Sequence, residues 1–323
     1  MTSTPALAEP TGGFGDVAPG IAARSPWQLF WRRLRSDRVA LGALVVVAIL
    51  VLVAVFAPLI IKLVGAPSWD HFDHSAQDSF GQPTGPSGRH IFGVDTHGGD
   101  VFSRTLYGAR ASLTVALGAT AIAMALGTVL GICAGFYRGW VDTVLSRTMD
   151  ILLAFPLLLL ALGISAACSD PRHGCLGGHV KPGEGLVIGV IALANWPYVA
   201  RLVRGQVLSL REKEFVEAAR SLGASNRRIM FSEILPNLVA PIIVYASLVI
   251  PQNVLLEAAL SFLGVGVQFP QPSWGDMLAD ATPIFYSAWW FMLFPGVALL
   301  TTVLAFNLLG DGLQDALNPR ARR

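Results

Sequence analysis

Six stretches of this 323-residue chain run for sixteen to thirty residues without a charged side chain. They cover residues 39–61, 111–137, 151–169, 185–200, 234–256 and 281–310. About 20 apolar residues at 1.5 Å rise each cross a hydrocarbon layer of ~30 Å. Each run is therefore read as a membrane span, with 185–200 the shortest and obliged to borrow from its flanks. Only 14% of the residues are charged, against about 25% in soluble domains, and the mean hydropathy is +0.57. Too few charges remain to cover a water-facing surface. Residues 258–275 are also uncharged, but Gly264, Gly266, Pro270 and Pro272 interrupt them, so they read as an outer loop or re-entrant segment. The expected fold is an all-α polytopic membrane protein with six transmembrane helices.

Placement of Lys and Arg sets the expected orientation. With the amino terminus inside, the inner segments hold 17 basic residues and the outer ones hold six, namely Lys62, Arg89, Arg104, Arg110, Arg172 and Lys181. Both termini are then cytoplasmic. The first apolar run is long enough to span, so no cleavable signal peptide is expected. The reading gives a disordered cytoplasmic tail over 1–24 and an interfacial segment with the first span over 25–62. An extracytoplasmic loop over 63–110, a five-helix core over 111–310 and a cytoplasmic tail over 311–323 complete it. Residues 25–38 (SPWQLFWRRLRSDR) mix aromatic and basic side chains. They fit either an amphipathic helix on the inner leaflet or a charged flank with tryptophan anchors.

Ala123, Gly127, Gly131 and Gly135 recur every four residues in the second run, a small-residue ladder that lets two helix backbones approach. The inner loop between the fourth and fifth spans carries a different signal. Within 204–236, Phe215, Ala218, Ala219 and Leu222 fall at helical spacing, flanked by Glu212, Lys213, Glu214, Glu217 and Arg220. That pattern predicts a short amphipathic helix. Gly223 supplies a helix stop, and Ser225 or Asn226 a cap for the next helix. Such a helix suits docking into a groove of a partner.

Glu217-Ala218-Ala219, three residues, Gly223, ten residues and Ile234-Leu235-Pro236 resemble the EAA signature of bacterial ABC-importer permeases. Residues 91–113 (IFGVDTHGGDVFSRTLYGARASL) are similar to the segment before the second span in dipeptide, oligopeptide and nickel permeases, although Gly99 stands where that subfamily usually has a polar or charged residue. Leu260-Ser261-Phe262-Leu263-Gly264 and Gly310-Asp311-Gly312-Leu313 through Asn318-Pro319 resemble later motifs of the same subfamily. The single amino-terminal span with a long outer loop is similar to its second, C-type permease. This resemblance implies a type I importer permease fold in a bacterial inner membrane. It also implies ATPase coupling through Phe215, Glu217, Ala218, Ala219, Leu222 and Gly223. The implied partners are a homologous permease, ABC ATPase subunits and an extracytoplasmic substrate-binding protein, with no nucleic acid. Peptides are the expected cargo, and nickel or another small solute is the alternative.

The three lysines follow Ile61, Val180 and Glu212, so none completes a P-loop. ATP and Mg²⁺ are expected in partner subunits, with no cofactor and no enzymatic activity in this chain. The cluster Asp70-His71-Phe72-Asp73-His74 offers metal-type ligands, but polar outer loops often contain such residues, and no metal site is assigned. Cys168 and Cys175 are a disulfide candidate in an oxidising compartment; Cys133 reads as a small apolar residue. Gln252, Asn253 and Glu257 are candidates for a pathway or gate, with Glu257 placed near the outer interface by residue count. An ion-gradient-driven secondary transporter would explain the spans but not the amphipathic inner loop.

Overall fold

The computed structural model describes residues 26–79, 81–168, 175 and 182–317. The tail at 1–24, Arg172, His173, His179, Lys181, Asn318 and Pro319 lie outside the described residues. Chain order gives α1 (Pro26–Ser36), α2 (Arg38–Val64), α3 (Val101–Tyr137), α4 (Gly139–Leu153), α5 (Leu157–Cys168) and α6 (Glu184–Leu210). After these come α7 (Glu214–Ser221), α8 (Asn226–Arg228), a π-helical turn (Ile229–Ile234), α9 (Leu235–Phe262), α10 (Trp274–Ala281) and α11 (Trp289–Leu317). Among the described residues, α2, α3, α6, the continuous stretch Asn226–Phe262 and α11 are long and apolar enough to cross a membrane. The bent pair α4–α5 supplies a sixth crossing when counted as one.

The axis of the molecule is the contact of α3 with α6, which run parallel. Gly127 faces Val199, Gly131 faces Val203 and Gly135 faces Val207, so the register advances evenly along both helices. A Cβ at Gly131 would lie 2.6 Å from the Ala200 carbonyl oxygen and 2.8 Å from Val203 Cβ. The small-residue ladder is therefore a packing face, and Ala123 is fully buried along it. Ile132, Val199, Val203 and Val207 continue into a core that holds Val216, Ile229, Met230, Ile234 and Leu238.

Several boundaries differ from the sequence reading. α3 begins at Val101, because Asp100 caps it by accepting from Ser103 N at 2.9 Å. The outer loop therefore ends ten residues early. The third run is not one straight span: α4 and α5 meet at 86°. Pro156 sits at the break, lacks an N–H and disfavours helix at the residue before it. α4 is tied down by arginines of α6. Asp142 takes Arg204 Nε and Nη2 at 2.5 and 2.8 Å, and Asp150 takes Arg201 at 2.6 Å. The fourth span, short in the sequence reading, is a 27-residue helix because it continues to Leu210. α9 extends to Phe262 and ends where Gly264 adopts φ 75°. The segment after it turns into α10 rather than remaining loop throughout. The last span starts at Trp289 and runs to Leu317, so 311–317 is helix, not tail.

α1 lays Phe30 and Leu34 against Ala40 and Ala316, leaving Trp31 exposed beneath the Arg35 guanidinium. α1, Pro26–Ser36, is thus packed on α2 and α11 by one face.

Gly131→Leu should overpack the α3–α6 contact at a cost of about 1–3 kcal/mol and lower the melting temperature of the purified protein. Gly163→Ala, where nothing lies within 4 Å of the added carbon, should leave it unchanged. Equal melting of the two variants would remove the close approach as a source of stability.

Candidate translocation and coupling sites

At the end of the bundle where α6 stops, Lys213 leads into α7 and Val216 plugs it into the core, fully buried. Ala219 is partly buried against the same cluster. Phe215, Ala218 and Leu222 remain on the outer side, with Leu222 89% exposed. The four-residue stripe of the sequence reading therefore divides. Ala219 turns inward beside Val216, a residue that reading overlooked, and three members stay free. Glu217 is exposed on the same helix. α7 ends in a paired cap: Gly223 N donates to Arg220 O and Ala224 N to Ala219 O, each at 3.0 Å, with Gly223 at φ 79°. This is the Schellman arrangement, which requires a left-handed residue that glycine supplies without strain. Ser225 then caps α8 by accepting from Arg228 N. Arg211, just before α7, donates to the carbonyls of Phe136 at 2.6 Å and Gly135 at 3.4 Å. The α7 turn is thereby fastened to the end of α3.

Inside the bundle, Asn253 and Glu257 share one face of α9 and are both buried. Gln252 is on another face and exposed, so the proposed trio does not form one lining. Asn253 Nδ2 donates to Thr120 Oγ1 at 2.8 Å, and Asn195 Nδ2 donates to Asn253 Oδ1 at 3.0 Å. α3, α6 and α9 are bridged by one chain of hydrogen bonds, each buried amide being costly without a partner. Glu257 is not at a solvated interface: its exposure is zero. Its Oε1 accepts from Ser261 Oγ at 2.8 Å, and the Ser112 and Ser273 hydroxyls face the same carboxyl group.

The segment before α3 forms a compact cap over the opposite end of the bundle. Asp95 and Arg104 are both 1% exposed and approach to 2.9 Å. Arg104 also lies over the Phe72 and Phe269 rings at 5.5 and 5.6 Å. Asp95 Oδ1 accepts from Gly99 N at 2.7 Å. A Cβ at Gly99 would sit 2.7 Å from Asp95 Oδ2, so a side chain there requires the Asp95 carboxyl group to shift. His90 Nδ1 and Asp100 Oδ1 are 2.9 Å apart, both buried. Burial raises the Asp95 carboxyl above its ordinary range, and the Arg104 charge opposes that rise. These buried groups escaped the sequence reading, although Asp95, Asp100 and Arg104 all stand in the quoted motif. Of the histidine cluster, Asp73 is engaged as a cap for Ser75 and faces Arg89 at 3.5 Å. Among the described residues no group of three His, Cys, Asp or Glu is placed to hold a metal ion. Cys168 is linked to Cys175, with Cα atoms 4.8 Å apart; Cys133 is free.

Residues 127–323 match the family described as binding-protein-dependent transport system inner membrane component. The chain belongs to this family. Residues 25–79 match a second model, the N-terminal transmembrane domain of oligopeptide transport permease C. A dipeptide transport system permease protein of Alkalihalophilus pseudofirmus is 42% identical over 93% of this chain and 92% of its own. A glutathione transport system permease protein of Pectobacterium atrosepticum is 39% identical, covering 93% of each. A putative peptide transport system permease protein of Brucella abortus is 44% identical over 93% of this chain and 94% of its own. A chain of the inward-facing MetNI methionine ABC transporter shares the fold with a TM-score of 0.52 and 19% identity, over 65% of this chain and 94% of that one. The protein is a multi-pass permease subunit of an ABC importer in the inner membrane.

Asp276, on α10, has its pKa pushed up to about 7 by burial first and by neighbouring Asp280 second, with Arg104 opposing. The folded protein thus holds this proton up to higher pH than the unfolded chain, whose carboxyl titrates near 3.8. Stability should fall as pH rises from about 4 towards 7. Asp276→Asn should flatten that part of a melting-temperature profile, and an unchanged slope would remove Asp276 as its source.

Proposed function

We propose that this chain is the second permease of a peptide importer, forming half of a translocation pathway with a homologous partner. An extracytoplasmic binding protein delivers the cargo, and separate ATPase subunits bind ATP and Mg²⁺. The observation that carries the coupling role is the divided face of α7. Val216 and Ala219 hold the helix rigidly on the core, while Phe215, Ala218 and Leu222 stay free beside Glu217. Covering Leu222, 89% exposed, contributes roughly 1.5–3 kcal/mol before association costs, and Phe215, 37% exposed, contributes less. Glu217 suits an arginine of the partner. The positive-inside count supports placing α7 and both termini in the cytoplasm, and the cap before α3 outside. Peptide cargo is favoured over nickel by the names of the relatives, which are dipeptide, glutathione and peptide permeases.

Two experiments test this reading. The wild-type chain should retain ATPase subunits through detergent purification, and Phe215→Asp/Leu222→Asp should lose them while staying in the membrane. Retention by the double variant would refute docking through α7. Cells relying on this transporter should take up radiolabelled dipeptide and stop when the chain is deleted. Uptake of nickel but not dipeptide would reverse the cargo assignment.

A further inference from the structure

A cavity of about 320 Å³ opens at the capped end of the bundle, where four separate parts of the chain converge. The loop after α2 contributes Trp69, α3 contributes Tyr107, Arg110 and Thr114, and the first residue of α6 contributes Glu184, while Gln271 closes the rim. Trp69 and Tyr107 lie side by side with ring centroids 5.3 Å apart, tilted by 36°. Arg110 and Glu184 are within electrostatic reach of each other, yet among the described residues they form no direct ion pair. The cavity thus offers one cation, one anion, an aromatic wall and neutral hydrogen-bonding groups. Ligand cavities run from about 300 to 1,000 Å³, so this one has room for an amino acid or a dipeptide, not for a long peptide.

We infer that this cavity is a subsite for the charged ends of a small zwitterionic peptide, a reading that rests on peptide import. Arg110 takes the α-carboxylate, for which a guanidinium offers paired donors. Glu184 takes the α-ammonium, and Trp69 with Tyr107 cover an apolar side chain. A bare metal cation would leave Arg110 unused, and a neutral solute would leave both charges unused. Trp69, Tyr107 and Glu184 are half-buried while Arg110 is exposed, so the Glu184 pair is the one better shielded from water and Arg110 stands open at the mouth. Ala111 and Thr114 follow Arg110 on α3, so an occupied subsite presents its peptide directly to the helix whose other end meets the α7 turn.

The test uses the complete complex with its partner permease and ATPases in lipid nanodiscs, without binding protein. The probes are the dipeptide Ala-Phe, its N-acetyl form and its carboxamide, measured by equilibrium dialysis. Wild type should bind Ala-Phe about tenfold more tightly than either blocked form, the loss expected for one charge-assisted contact. Arg110→Gln should weaken Ala-Phe about tenfold and make amidation neutral; Glu184→Gln should do the same for acetylation. The blocked probes on wild type need no variant, so a folding defect cannot hide the answer. Equal affinity for free and blocked forms, no Ala-Phe binding, or variants that bind as wild type does would each overturn the subsite. A complex that imports dipeptide yet shows one of those outcomes keeps the import reading and loses the subsite. Charge-dependent binding without any peptide uptake supports the subsite and overturns import.

Discussion

Close approach of α3 and α6 is the contact on which the remaining structure depends. In lipid no hydrophobic drive separates a helix–helix contact from a helix–lipid one, so dispersion at short range has to do the work. Gly127, Gly131 and Gly135 let the valines and carbonyl groups of α6 sit where a side chain would otherwise be. Because the two helices are parallel in this register, they end together at Tyr137 and Leu210, while α3 starts about three turns before α6 at the other end. At one face the coincidence places Arg211 on the carbonyls of Gly135 and Phe136. At the other, Arg110 and Glu184 meet across a cavity. Both candidate sites follow from one packing register.

Buried polar groups then divide by depth. Mid-bundle, Thr120, Asn195 and Asn253 are uncharged and satisfy one another, which fixes the rotation of α9 against α3 and α6 without burying a charge. The buried ion pair lies in the cap, where Asp95 and Arg104 meet and the chain around them supplies further donors. A buried pair of this kind adds little net stability, but removing one partner is costly, about 3–5 kcal/mol. Its effect is to specify geometry. Arg104, wedged between Asp95 and two phenylalanine rings, joins the loop before α3 to the loop before α10.

Span number and the amphipathic loop were legible because they depend on composition and period, which the chain carries locally. The break between α4 and α5 was not, since residues 151–169 are uncharged throughout and Pro156 alone does not reveal an angle of 86°. The inward turn of Ala219 and Val216 was equally hidden. Phe215, Ala218, Ala219 and Leu222 fit one apolar stripe, but a helix packed on a core buries whichever face meets it, and that depends on α3, α6 and α9. Gln252 shows the same limit: next to Asn253 in sequence, it lies about 100° away around the helix and never joins the buried column. Glu257, placed by counting near a watery interface, is instead enclosed by Ser112, Ser261 and Ser273 because α9 extends past it and α10 folds back over it.

α7 combines a fixed root with a free face, and the combination bears on the proposed coupling. A loosely tethered amphipathic segment would absorb a partner's movement by bending. Here Val216 sits in the same cluster as Val203, Val207 and Ile229, and Arg211 ties the preceding turn to α3. Displacing α7 must therefore either empty a close-packed core or carry α3, α6 and the following π turn along. The first route loses the burial of Val216, about 1.5–3 kcal/mol, and part of that of Ala219; the second slides rigid helices and preserves it. The second is the cheaper response. The π-helical turn at Ile229–Ile234 lies between α7 and the long α9, where a helix accommodates a change of direction. Motion imposed at Phe215 and Leu222 would thereby cross the short Gly223 turn and reach Asn253 and Glu257 through the continuous stretch Asn226–Phe262.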